Sequence, residues 1–150
     1  MSRSLVDAIT RGLTRNVAFT SPGARDPRLR GRTYAIPFED VWQASTALVA
    51  GGLKRWEVLE ADDQEGTIRG MARGRIERTT SAITIRITLD DDAQTRVDAL
   101  SASHVGRADF GRNARRLQHF FAALDRQLED RRGKSIERLT IEPTTAPTPS

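Results

Sequence analysis

The sequence predicts an α+β two-layer sandwich, a twisted antiparallel sheet of about five strands with two helices on one face, in the order β-α-β-β-β-β-α. Two observations carry this. Segments between residues 56 and 103 alternate apolar and polar residues, which marks half-buried antiparallel strands. On either side of them, apolar residues recur three and four apart, the period of an amphipathic helix.

The elements follow in order. Thr33 to Ile36 suits a short strand, and Pro37 suits the first turn of a helix, where its missing N–H costs nothing. Phe38, Val41, Trp42, Ser45, Leu48 and Val49 then form one helical stripe, which Gly51-Gly52 stop. Trp56 and Val58 alternate with Glu57 before the polar turn Asp62 to Gly66. From there Gly66, Ile68, Gly70, Ala72, Gly74 and Ile76 share one strand face, while Arg69, Arg73 and Arg75 lie on the other. Glycines on the apolar face let a helix approach the sheet closely.

Ile83, Ile85, Ile87 and Leu89 make the strongest strand pattern, and Asp90-Asp91-Asp92-Ala93 turns it. Thr95 to Ser103 returns with Val97, Ala99, Ser101 and Ser103 on one side. Phe110, Ala114, Leu117, Phe121, Leu124 and Leu128 define a last helix with Asp109 as its N-cap and an expected end at Arg131-Arg132-Gly133. Ile136, Leu139 and Ile141 suit one further short strand, and Pro143 to Ser150 is a low-complexity tail. The organisation expected is a basic arm and linker over 1–32, one domain over 33–132, and a C-terminal tail over 133–150.

The 150 residues suit one domain, and 37% hydrophobic content is enough for its core. Zero cysteines exclude disulfides and thiolate metal sites. No apolar run approaches a membrane span, and the N-terminus lacks the apolar core of a signal peptide, so the expectation is a cytoplasmic protein, peripheral at most to a membrane complex. The formal net charge of +4 is uneven. Residues 1–32 hold seven Arg against Asp7 and Asp26, a net of +5, which leaves −1 on the rest. In that arm Leu5, Ile9, Leu13 and Val17 fall near helical spacing, with Arg11 and Arg15 one turn apart. Such a helix docks on a protein partner or an anionic membrane surface, or packs on its own domain.

The segment Thr95 to Leu117 (TRVDALSASHVGRADFGRNARRL) is the most distinctive in the chain. It resembles the domain-of-unknown-function 1499 family of bacterial and plastid proteins, with a pattern close to V-D-x-R-S-x-S-R-x-G-x-x-D-x-G-x-N-x-x-R-[IV]. Matching positions are Val97, Asp98, Ser101, Ser103, Gly106, Asp109, Gly111, Asn113 and Arg116, and looser likeness covers about residues 28–128. Leu100 and His104 stand where the family usually has Arg, which removes two cations from any anion site there. Members are often lipoproteins or membrane-attached, and the resemblance implies no assigned activity.

Two readings of the motif stand side by side. Ser101, Ser103, Arg107, Asp109, Asn113 and Arg116, with Arg112 nearby, could hold an anion at a helix N-terminus, or they could bond one another and the loop. A Ser103-His104-Asp109 triad fails, because adjacent strand residues point to opposite faces. His104 and His119 lack ligand spacing, the Asp90 to Asp92 run is no calcium loop, and no phosphate-loop or dinucleotide fingerprint occurs. Neither metal nor cofactor is expected.

Arg69, Arg73, Arg75, Arg86 and Arg96 gather on the expected open face of the sheet against Glu57, Glu77 and Asp98. Without an aromatic residue among them the face disfavours nucleic acid. The function expected is a non-enzymatic interaction protein, an accessory subunit using the arm and this face. The alternative is a small-molecule or lipid-binding domain with a pocket between sheet and helices, lined by Phe38, Trp42, Phe120 and Phe121; the same aromatics could instead fill the core.

Overall fold

A computed structural model describes residues 17–21, 24–26, 29–75, 79–103 and 110–141. Its elements are β1 (Val17–Phe19), β2 (Arg32–Tyr34), α1 (Phe38–Ala47), β3 (Trp56–Asp62), β4 (Thr67–Arg73), β5 (Thr80–Leu89), β6 (Thr95–Ser103) and α2 (Phe110–Ile141). The strands form one antiparallel sheet in the order β1-β6-β5-β4-β3, with β2 also pairing β6. The sheet is open, and the two helices cover one face, so the α+β sandwich stands, with six strands.

Period-two patterning dictates the covered face. Ile68 and Ala72 of β4, Ile83, Ile85 and Ile87 of β5, and Val97 and Ala99 of β6 are all buried. Against them α1 sets Val41, Trp42 and Ala44, and α2 sets Leu117, Phe120, Phe121, Leu124 and Leu128. The aromatics pack on one another: Phe38 stacks on Trp42 and Trp56 on Phe120, each at 6.0 Å, and Phe120 meets Phe121 edge-on at 5.3 Å. Trp42, Trp56, Phe120 and Phe121 belong to the buried core, and Phe38 packs half-buried against it.

Local signals end α1 as expected. Its first turn carries Glu39 and Asp40, favourable at the positive end of the helix dipole. The last turn widens into a π-turn over Leu48–Gly52, and Gly51 takes φ +116°, a conformation that suits glycine. At the far ends of the hairpins, Asp62 accepts from the N–H groups of Gln64 and Glu65, and Asp90 from those of Asp92 and Gln94. The acidic run is thus a hairpin turn.

Three features correct the sequence reading. First, Val17 belongs to a strand, not to a helical series with Leu5, Ile9 and Leu13; Ala18 is fully buried and pairs Ser101. Next to it the Thr20 hydroxyl donates to Asp98 Oδ1 (2.8 Å) and accepts from the Ala99 N–H (2.9 Å). A three-residue strand pinned from 80 residues away has no local signature. Second, β3 bulges between Val58 and Glu60, so Leu59 is 62% exposed on the sheet's edge strand. Third, α2 runs past Arg131-Arg132-Gly133 to Ile141, in place of a break and a short strand. Gly133 costs only about 1 kcal/mol inside a helix, and the good helix formers around it offset that.

Tyr34 joins β2 to α2. Its hydroxyl donates to Asp125 Oδ1 at 2.7 Å, and Arg32 lies 3.5 Å from the same carboxylate and 5.5 Å over the Phe121 ring. Burial, then the bond to Asp125 and that carboxylate's charge, push the Tyr34 phenol well above its ordinary value. Above about pH 10 the unfolded phenol releases its proton while the folded one keeps it, so stability falls by about 1.4 kcal/mol per pH unit. Below that pH both forms are protonated and the contribution is constant. Tyr34 is the chain's only tyrosine. Urea unfolding from pH 8 to 11 should therefore show this slope in the wild type and its absence in Tyr34→Phe.

Candidate functional site

The motif that closes β6 and opens α2 forms a polar cluster between sheet and helix. Ser101 and Asn113 are fully buried, and Ser81 of β5 nearly so. The Ser101 hydroxyl donates to Asn113 Oδ1 (2.6 Å), and Asn113 Nδ2 donates to the Ser103 hydroxyl (2.9 Å). Arg116 Nη1 reaches Asn113 Oδ1, the Ser81 hydroxyl and the Ser101 hydroxyl at 2.8, 3.0 and 3.3 Å. Ser81 and Ser103 stand 3.3 Å apart. Ser101, Ser103, Asn113 and Arg116 therefore converge, as the motif's spacing suggested, and with Ser81 they tie β5, β6 and α2 together. Arg107 and Asp109 lie outside the described residues. Ser81 was missed, although it shares the covered face with Ile83, Ile85 and Ile87 and pairs Ser103 in register.

The arginines of the open sheet face are largely paired. Arg69 bonds Glu60 at 2.7 Å, Arg73 approaches Glu57 at 3.5 Å, and Arg96 makes a two-pronged bond to Asp98 at 2.8 and 2.9 Å. Asp98 also accepts from Thr20, so this motif residue locks β1 onto β6. Arg86 remains exposed on that face, opposite Thr67 and Asp98. The face is not free of aromatics, contrary to the sequence reading: Phe19, 48% exposed, lies opposite Leu100. Leu5, Ile9, Arg11, Leu13 and Arg15 of the arm lie outside the described residues.

Cationic side chains gather elsewhere. An open cleft of about 1040 Å³ runs between α2 and the end of the sheet where β3 begins and β4 stops. One wall is a helical stripe, Arg112, Arg115, Arg116, His119 and Arg126, at spacings of three, four and seven residues. The facing wall supplies Lys54, Arg55, Arg73 and Arg75. Against these eight fixed cations the described lining has one carboxylate, Asp130. The far pole of the domain carries the opposite sign, with Asp62, Asp63, Glu65 and Asp90 to Asp92 in the two hairpin turns.

Sequence reasoning placed Arg73 and Arg75 with the sheet face and Arg112 beside the motif's anion site, and it assigned no site role to Lys54, Arg55, Arg115 or Arg126. On α2 a signal was present, because these arginines recur at helical spacing on one side of the apolar stripe. Their facing wall comes from residues 37 to 72 positions earlier, and only the folded sheet brings the two together.

Arg55 carries a second mark. Its φ is +64°, a left-handed conformation uncommon outside glycine, and its carbonyl accepts from the Arg73 N–H at 2.9 Å. Backbone strain held by a non-glycine residue beside a cleft favours a functional side chain at that position. Arg55→Gly should leave stability unchanged or raise it by up to about 1 kcal/mol, by relieving that strain. The same change should weaken anion binding, and denaturant melts paired with ligand titrations check both outcomes.

Among the described residues no group of three His, Asp or Glu side chains could hold a metal ion, and no helix is long and apolar enough to cross a membrane. Neither curated proteins nor solved structures yield a match. A family model does, described as "Protein of unknown function (DUF1499)", and it spans residues 9–124, from ahead of β1 into the middle of α2. The strands, the Ser–Asn–Arg cluster and most of the cleft fall within that span, and the chain belongs to the DUF1499 family.

Proposed function

We propose that this domain is a non-catalytic binding module that takes an anionic ligand in the cleft beside α2. The observation that carries this reading is the gathering of eight cations around one cleft whose described lining has a single carboxylate; of the eight, Arg73 pairs with Glu57, while Arg69 and Arg96 of the sheet face pair with Glu60 and Asp98. Like charges crowded together repel, and a bound anion relieves that repulsion. The Ser–Asn–Arg cluster supports the site from behind by fixing the start of α2 against β5 and β6.

Full-length protein titrated with multivalent anions at low ionic strength tests this. Citrate or pyrophosphate at a hundredfold excess over Kd should stabilise the fold by about 2.7 kcal/mol, a rise of several degrees in Tm. The rise should shrink with added salt and vanish in Arg115→Glu/Arg126→Glu. If no multivalent anion moves Tm, the reading fails. A protein partner on the open face is the second reading, favoured by exposed Phe19 beside Leu100. In that case Phe19→Asp, and not the cleft variant, abolishes association.

A further inference from the structure

From the chemistry of the cleft walls we infer that the ligand is an oligophosphate, a chain of two or more linked phosphate groups, free or as the tail of a larger molecule. This rests on the anion-cleft reading and names its ligand class. Three properties of the cleft point there.

The first is shape. The cationic stripe from Arg112 to Arg126 spans fourteen helical residues, about 21 Å of axis. Lys54, Arg55 and Arg75 face it across the cleft. A single phosphate engages two or three guanidinium groups, so a track of this length fits charges in a row.

The second is hydrogen-bonding polarity. Guanidinium and ammonium groups are donors with no acceptor. Eight of the cleft's side chains are of this kind; the groups able to accept are the Thr79 hydroxyl and the His119 ring, and Gln127 and Asp130 one helical turn apart at the C-terminal end of the stripe. An acidic peptide would bring a backbone N–H at every residue and find few acceptors along the track. A fully ionised oligophosphate is an acceptor-only ligand and leaves no donor unmatched. Seven of the eight fixed cations are Arg, whose planar fork matches phosphate oxygens two at a time.

The third is the lack of an exposed apolar platform. Leu48, Leu53, Trp56 and Ala123 lie under the cleft, but none is more than 9% exposed, and Trp56 is stacked on Phe120. No described lining side chain offers a base or an acyl chain an exposed apolar surface. Recognition therefore falls on the phosphates.

Calorimetric titration of the full chain, without divalent cations, compares orthophosphate, tripolyphosphate, a nucleoside triphosphate and hexaglutamate. Tripolyphosphate should bind at least about tenfold more tightly than orthophosphate or hexaglutamate, a gap worth one charge-assisted contact. A nucleoside triphosphate equal to tripolyphosphate means that the chain alone is read; one that binds more tightly identifies the nucleotide as the source. Both results support the inference. Arg115→Gln/Arg126→Gln should weaken tripolyphosphate by about 100-fold or more, and Arg86→Gln on the open face should leave it unchanged. Hexaglutamate bound as tightly as tripolyphosphate overturns the phosphate assignment and leaves the anion cleft standing. Binding of none of the four overturns both. Salt-sensitive self-association abolished by Arg115→Gln/Arg126→Gln, with no tripolyphosphate binding, would give the cleft to the acidic hairpin turns of a second copy and also overturn the inference.

Discussion

Asn113→Ala should lower the unfolding free energy by about 3 kcal/mol, the largest loss from any single polar substitution in the domain. Asn113 is fully buried, accepts from Ser101 and Arg116, and donates to Ser103. Its removal leaves a buried hydroxyl without its acceptor and a guanidinium short of one, and it opens a small void between β6 and α2. Breaking one member of a polar cluster costs more than its net contribution, because the others stay buried. Ser101→Ala should cost about 1 kcal/mol, and the double variant less than the sum, since the two losses overlap. Urea denaturation of the three variants checks this. Strictly additive losses would mean that the two side chains are energetically independent. If the cluster steadies the cleft wall, Asn113→Ala should also weaken anion binding below the unfolding transition.

Gly70→Ala should destabilise by a similar amount, about 3 kcal/mol, for a steric reason. A Cβ at residue 70 would lie 2.6 Å from the Glu57 carbonyl oxygen and 2.6 Å from Val49 Cγ1. Both are immovable without shifting β3 or the π-turn that ends α1. Val49→Ala in the same chain removes one clash and leaves the backbone one. The double variant should therefore recover only part of the loss, whereas full recovery would show that Val49 alone set the limit. Gly66→Ala meets the Ile87 carbonyl and also needs φ +65°, so it should be at least as damaging. Gly70 thus does what a glycine on an apolar strand face suggests: it lets a helical segment seat against the sheet.

Much of the domain was legible in the residues. Alternation over β4, β5 and β6 and the helical stripes of α1 and α2 reflect burial on one face, which is imposed residue by residue, so they read from the sequence. Gly51 and the Asp62 and Asp90 turns were equally local. The misreadings lie where distant chain decides. Val17–Phe19 is a strand only because β6 offers an edge, and Asp98 holds Thr20 there. Gly133 fails to stop α2 because one unfavourable residue does not outweigh its neighbours.

The candidate site divides the same way. Ser101, Ser103, Asn113 and Arg116 could be singled out because a helix start and a strand end lie close in sequence and their side chains bond locally. Ser81, from the neighbouring strand, could not. Charge shows the contrast most clearly. The sequence alone established that basic residues are almost all Arg and that an antiparallel sheet would carry several on its outer face. Whether an arginine pairs with a carboxylate or faces an open cleft depends on which strand lies next to it. Register places Arg69 beside Glu60, and Arg73 reaches Glu57 two residues along from the Met71 that Glu57 faces. The end of the sheet sets Lys54, Arg55 and Arg75 opposite the Arg stripe of α2. Periodicity records which face a residue occupies. Only tertiary packing decides what stands across from it, because Coulomb energy depends on separation in space and not along the chain.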